Sequence, residues 1–214
     1  MAIAAALLAG LVAPPGSTQD RPSESKLVSS LFFHILRSDR HIGTAHVEIS
    51  WANGFLDVRS KTEVLIQLGD ATAYDFFQQA HEVWRNGRLM SYEAKTNDNG
   101  VEKLVEFRGG ARGPLLIANG KAQIVSRDIV PTSLWHETEI KRSQFFDAML
   151  GLLHEVKVSD PLEATIKVRG KSMETSLYTI TGDIQRKLWY LPNGTLVQQS
   201  LIAPDGSEVL YKLR

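Results

Sequence analysis

The chain contains no cysteine. That excludes disulfides, thiolate metal sites, a catalytic thiol and a lipid-modified cysteine anchor. It leaves the compartment open, because a cysteine-free chain suits an oxidising space and the cytosol equally. An excess of one charge sign is missing too. The 24 Lys and Arg residues balance 24 Asp and Glu, for a formal net charge of zero. Without clustered positive charge there is no electrostatic reason to expect nucleic acid as a partner, or a polybasic membrane-surface role. The longest apolar run, Ala2 to Ala13, is too short to span a bilayer, so no transmembrane span is expected.

Catalytic signatures are absent as well. There is no Gly-x-Ser-x-Gly, and the only Ser-x-x-Lys weighed, Ser23 with Lys26, lies in a polar start without companion motifs. Gly109-Gly110-Ala111-Arg112-Gly113 is glycine-rich but lacks the Lys-Ser/Thr and the long helix of a phosphate loop, so it reads as a wide turn or bulge. The histidines are His34, His41, His46, His81, His136 and His154. None shows the i, i+2 strand spacing or i, i+4 helix spacing of metal ligands, although His34, His46 and His81 could converge across strands. No catalytic residue, metal ligand or cofactor is therefore assigned. Paired carboxylates cannot be located from the sequence of a β protein, because partners come from different strands.

What is present fits one soluble domain. The chain has 214 residues, 43% apolar and 22% charged, enough for a core of ordinary size. The run Ala2–Ala13 has the length of a signal-peptide hydrophobic region, and Pro14 to Lys26 is polar. No Lys or Arg precedes the run and no Ala-x-Ala site closes it. The organisation expected is a signal peptide with flexible start over 1–21 and a single antiparallel β domain over 22–214. The expected location is outside the cytoplasm, in the periplasm.

Turn chemistry dominates the rest. Asn-Gly occurs at 53–54, 86–87, 99–100, 119–120 and 193–194, and Asp-Gly at 205–206. Each is a preferred centre of a type I′ hairpin turn, whose two central residues need positive φ. Between them the chain alternates with period two. Ala45, Val47, Ile49 and Trp51 interleave with polar residues, and Leu56, Val58, Val64 and Ile66 share the even positions of the next run. Similar runs follow over 72–84, 88–96, 101–108, 114–118 and 121–126. After a break they resume at 154–159, 163–169, 173–181, 184–191, 195–202 and 207–213. In the break, Ser143 reads as a helix N-cap, Phe146, Met149 and Leu150 as a helical stripe, and Gly151 as the C′ residue. The fold class expected is all-β with minor α: one long antiparallel meander, with one or two short helices around 133–151. About a dozen strands cannot stay flat, so the meander should curl into a barrel or half-barrel, with a two-sheet sandwich as the alternative.

The C-terminal stretch TGDIQRKLWYLPNGTLVQQSLIAPDGSEVLYKLR, together with IGTAHVEI and YDFFQQAHEVWRNGRLMSYEAKTNDNG, resembles an uncharacterised bacterial envelope family, the domain of unknown function 6134 (DUF6134). The shared pattern includes a Gly-Asp start, an apolar-Trp-Tyr strand, a Gly turn and a closing Leu. The likeness covers roughly 28–214. It extends distantly to a second such family, number 3108 (DUF3108), whose members look like curved sheets related to lipoprotein carriers. This chain has Leu191 where the family often carries an acid after the Trp-Tyr pair. The resemblance implies export and the β fold, and supplies no activity.

Candidate binding residues come from chemistry alone. Tyr74, Phe76, Gln78, Ala80, Glu82 and Trp84 fall on one face of one expected strand. A Tyr and a Trp beside a carboxylate can line a cavity, or Trp84 can cover the barrel end while Glu82 pairs with a cation. Trp135 and His136 lie in an irregular loop, which can carry function or plug the sheet's concavity. Tyr74, Glu82, Trp84 and Trp135 are thus the candidate ligand-binding set. Three readings follow: a carrier of an apolar or amphipathic ligand such as a lipid, an envelope interaction protein without a pocket, and an envelope hydrolase. A large apolar interior would favour the first, and a packed interior would count against it.

Overall fold

The computed structural model describes residues 26–214 apart from Ser143 and Pro204, with side chains described from Ser29 onward. The signal-peptide reading of 1–21 lies outside the described residues. The strands are β1 (Lys26–Arg37), β2 (Arg40–Ala52), β3 (Phe55–Leu68), β4 (Ala71–Arg85), β5 (Arg88–Asp98), β6 (Val101–Arg108), β7 (Leu115–Ala118) and β8 (Lys121–Ile124). After an irregular stretch come β9 (Val130–Pro131), β10 (Gln144–Phe146), β11 (Leu153–Val158), β12 (Leu162–Val168), β13 (Lys171–Gly182), β14 (Arg186–Tyr190), β15 (Leu196–Ile202) and β16 (Glu208–Leu213).

They form one sheet in the order β8-β7-β6-β5-β4-β3-β2-β1-β16-β15-β14-β13-β11-β10-β9, with β12 on β13. Every pair is antiparallel except β9 with β10. The meander expected from the turns is therefore present, with the last strand returning to the first: Phe33 opposes Leu213 and Arg37 opposes Val209. A closed barrel is not what the pairing gives. β8 ends the path on one side and β9 on the other, so the described sheet is open.

The turns follow the expected chemistry at four of the Asn-Gly sites. Asn53, Asn86, Asn99 and Asn119 all have φ near 50° and each is followed by a positive-φ glycine. At 193–194 and 205–206 only the glycine is left-handed. There the loops are one residue longer: Leu191 N–H donates to Thr195 O, and Ala203 N–H to Ser207 O. A three-residue hairpin loop needs a left-handed residue only at its end, which explains the difference. Ser38-Asp39 and Arg169-Gly170 supply two further left-handed pairs that composition did not single out.

Alternation sets which face is dry. Leu31, Phe33 and Ile35 of β1, Ala45 and Val47 of β2, and Ala80, Glu82 and Trp84 of β4 are buried, while the residues between them are more exposed. Residues 129–151 lie against this dry face. Phe146 meets Tyr92 of β5 edge-to-face and stacks on Phe107 of β6. Trp135 packs 6.0 Å from Phe33 of β1, measured between ring centres. Tyr190 of β14 donates to Leu134 O, and Arg186 to Thr132 O. Strands from both halves of the sheet therefore close on one segment, and the sheet curls around it. Leu134, Ile140, Phe145 and Phe146 are fully buried there. Each contributes on the order of 2 kcal/mol by leaving water.

The helix expected around 133–151 is not formed. Glu137–Glu139 make a single 3-10 turn, Gln144–Phe146 are strand β10, and the proposed cap Ser143 lies outside the described residues. The reason is local competition. Asp147 Oδ1 accepts from the N–H groups of Met149 and Leu150 at 2.8 and 2.6 Å and Gly151 N–H donates to Asp147 O, a single capped turn that ends at once because Asp147 N–H donates to Leu152 O and the chain enters β11 at Leu153. The apolar spacing of Phe146, Met149 and Leu150 reflects burial on the sheet rather than a helical stripe.

Gly194 is the turn residue with tertiary consequences. Its φ is +81°, and a Cβ there would sit 2.5 Å from His136 Cε1, whereas a Cβ at Gly87 would meet nothing within 4 Å. Gly87→Ala should cost about 1 kcal/mol, the left-handed penalty alone. Gly194→Ala should cost more, because the His136 ring must also leave Thr138. Urea midpoints check this; equal losses would show that the loop yields freely.

Candidate functional site

Four side chains from two directions meet under the curled sheet. Glu82 and Trp84 come from β4, whose even positions face inward as the alternation requires. Trp135 and Glu139 come from the buried segment. Their exposures are 0, 5, 6 and 7%, so the cluster is shut off from solvent. Trp84 Nε1 donates to Glu82 Oε2 at 2.9 Å. Ser133 and Trp135 also face this carboxylate and favour its ionised form, though neither reaches hydrogen-bond geometry. Glu82 Oε1, Ser133 Oγ, Trp135 Nε1 and Glu139 Oε2 are all enclosed and make no hydrogen bond in the structure.

The segment is held in register by its own backbone. Leu196 N–H donates to Trp135 O at 3.3 Å and Glu137 N–H to Gly194 O at 3.0 Å. Tyr178 Oη donates to the Glu137 carboxylate. Leu134 has φ +53°, a left-handed conformation that a leucine rarely adopts, and its side chain is fully buried. Such strain persists only where the surroundings over-determine the conformation. It turns the chain so that Trp135 points toward Glu82.

Among the described residues neither Glu82 nor Glu139 makes an ion pair. Burial pushes the Glu82 carboxyl from 4.5 up to about 7, against the opposing pull of Ser133, Trp84 and Trp135. Burial, and then the nearby Glu82 charge, raise Glu139 well above the carboxylate range; the backbone N–H groups of Trp135 and His136 oppose this. Two like charges in a dry site cannot both ionise cheaply, so the pair titrates as a unit and keeps a proton near neutrality. Chemically this is an internal acid pair without an open path to a substrate.

The candidate residues thus divide. The structure brings together Glu82, Trp84 and Trp135. Glu82 is buried rather than sitting at a rim with a cation. Tyr74 stands apart, eight residues along β4, roughly 26 Å of strand. Its hydroxyl donates to Asp98 at 2.8 Å, and burial followed by that bond raises its pKa. Glu139 and Ser133 were not legible as partners of Glu82, since nothing in the loop's composition places them opposite β4.

The histidines do not converge into a metal site. His46 bonds Ser30 and stacks on Phe32, His81 bonds Asp57 at 2.5 Å, and His136 caps the 3-10 turn. His154 faces Asp147 at 3.6 Å. His34 and His41 meet edge-to-face, and among the described residues no group of three or more metal-ligating side chains forms. No helix among the described residues is long and apolar enough to cross a membrane.

Comparison with known proteins agrees with the fold. The family described as Domain of unknown function (DUF6134) matches residues 33–214. No curated protein matches the chain. A solved structure of a β-barrel-like protein of the domain of unknown function DUF1849 from Brucella abortus superposes with a TM-score of 0.60 at 9% identity, covering 86% of this chain and 94% of that one. At that identity the likeness concerns the fold alone.

The acid pair makes a pH prediction. A carboxyl whose pKa is raised on folding contributes stability that is fully present below its unfolded value and lost as pH rises through the folded value. For Glu82 that window runs from 4.5 to about 7. Glu82→Gln, neutral and of similar shape, should remove much of this dependence. It should leave stability near pH 4.5 little changed and raise it at pH 8 by on the order of 2 kcal/mol. Urea midpoints of both proteins across the range measure it. Parallel pH curves for the two proteins would rule the pair out as the source.

Proposed function

Because the chain belongs to the DUF6134 family, whose description names no activity, we propose its function from the geometry: it is an exported envelope protein that acts through its outer surface, its interior being filled by its own chain. The observation that carries this reading is the buried segment 129–151. Leu134, Trp135, Ile140, Phe145 and Phe146 occupy the dry side of the sheet, where a carrier would hold its cargo. A carrier of a lipid or other apolar ligand needs that room. A hydrolase needs an open cleft at Glu82 and Glu139, and both are enclosed.

The outside supports the same reading. Leu68 at a hairpin tip, Leu162 on β12 and Ile124 on the free edge strand β8 are among the most exposed large apolar residues. An unpaired edge carrying exposed apolar side chains is a surface for partner chains. Export rests on the apolar run Ala2–Ala13 with its polar sequel, and on the family resemblance.

A neutral apolar dye such as N-phenylnaphthylamine tests the filled interior. The native protein should show no saturable uptake, and Trp135→Ala should create a site by removing the indole. Stoichiometric uptake by the native protein would restore the carrier. Export is checked separately by sequencing the N-terminus of the mature protein. A start beyond residue 13 is expected, and a start at Met1 would contradict it.

A further inference from the structure

On the outer face, β1, β2 and β16 frame a recess of about 340 Å³ lined by His34, Leu36, His41, Lys212 and Leu213. The framing follows from register. His34 opposes Lys212 of β16, and Leu36 opposes His41 of β2 across a bulge. That bulge, between Ile35 and Leu36, turns His41 toward His34, and the two rings meet edge-to-face with centres 5.0 Å apart. The lining holds three nitrogen-bearing side chains and no carboxylate, and most of its surface is apolar.

We propose that this recess binds a small amphipathic carboxylate, its head between Lys212, His34 and His41 and its short hydrocarbon tail along Leu36. The proposal rests on the reading that the protein acts through its outer surface, and it names the ligand chemistry of one place on that surface. Three observations converge on an anion. Lys212 makes no ion pair among the described residues. His34 Nδ1 makes no hydrogen bond in the structure, so no protein partner fixes the ring against turning a nitrogen to a bound acceptor. Of the nearby acids, Glu63 pairs with Lys61, Glu48 faces His46 and Asp205 pairs with Arg37, and neither these nor Glu208 of β16 line the recess. At the end of β16 the Arg214 carbonyl accepts from Arg169. The recess lining therefore carries one ammonium and no acid, on a chain of zero net charge. An ammonium and two imidazoles give charge-assisted bonds to a carboxylate, and the leucine wall rewards a tail.

Calorimetric titration of the full, untagged chain with sodium decanoate tests this. One-to-one saturable binding is expected, weakened about tenfold by Lys212→Gln and by His34→Ala, the loss of one charge-assisted bond each. Acetate, which lacks the tail, and decyltrimethylammonium, which reverses the head charge, should not saturate. Both substitutions lie on the outer face, and far-ultraviolet circular dichroism confirms that the variants fold. The proposal is overturned if decanoate does not bind, if the cationic amphiphile binds as well, or if both variants bind decanoate like the native chain. Decanoate binding that ignores both variants and is competed by the neutral dye would place the ligand inside, and would sink the surface reading too. Loss of decanoate binding alone leaves that reading standing.

Discussion

An irregular segment buried under a sheet must satisfy its backbone polar groups without the ladder that strands give one another. In this protein the sheet's side chains do much of that work. Tyr190 donates to Leu134 O, Arg186 to Thr132 O and Tyr92 to Ala148 O, while Thr132 Oγ1 accepts from Ala148 N–H. Long polar side chains that would otherwise be awkward in a dry interior become the fastenings of residues 129–151. Once the segment is fastened, the sheet has something to curl around, and its two ends need not join to exclude water from the core.

The same enclosure produces the structure's main electrostatic oddity. Bringing the segment against β4 places Glu139 near Glu82, with Trp84 and Trp135 closing the space around them. Isolated ionised carboxyls are costly in such a place, so the pair is held partly protonated instead. Stability and protonation are thereby linked at one spot, where the chain enters the interior. Leu134, held at positive φ between Ser133 and Trp135, marks the same point as mechanically constrained.

The order from β2 to β8 was legible in the sequence because the information there is local, whereas β11 and β12, expected as neighbours, both pair with β13 instead. Asn53-Gly54, Asn86-Gly87, Asn99-Gly100 and Asn119-Gly120 set tight reversals, and a two-residue reversal leaves consecutive strands no choice but to pair. The alternation that put Glu82 and Trp84 on one face also held. β1 was not singled out, because its apolar residues follow a polar start without a turn signal before them. The helix expected near Ser143 failed because spacing alone cannot tell a helical stripe from residues buried on several sides: Gln144–Phe146 pair as a strand and only one turn follows at Asp147. The candidate site was half legible. Glu82, Trp84 and Trp135 carry their chemistry in their identity. Glu139 and Ser133 join them only through a tertiary approach that no spacing encodes, and Tyr74 shares the strand face but lies too far along it.

The central claim is that residues 129–151 are a permanent part of the core and not a displaceable strap. Hydrogen exchange resolved along the chain measures this most directly. The account predicts that the N–H groups of Thr132 and Ala148, which bond within the segment, exchange as slowly as those of β14 and β15. Exchange of Thr132 and Ala148 at the rate of an exposed loop, while β14 and β15 stay protected, would contradict it.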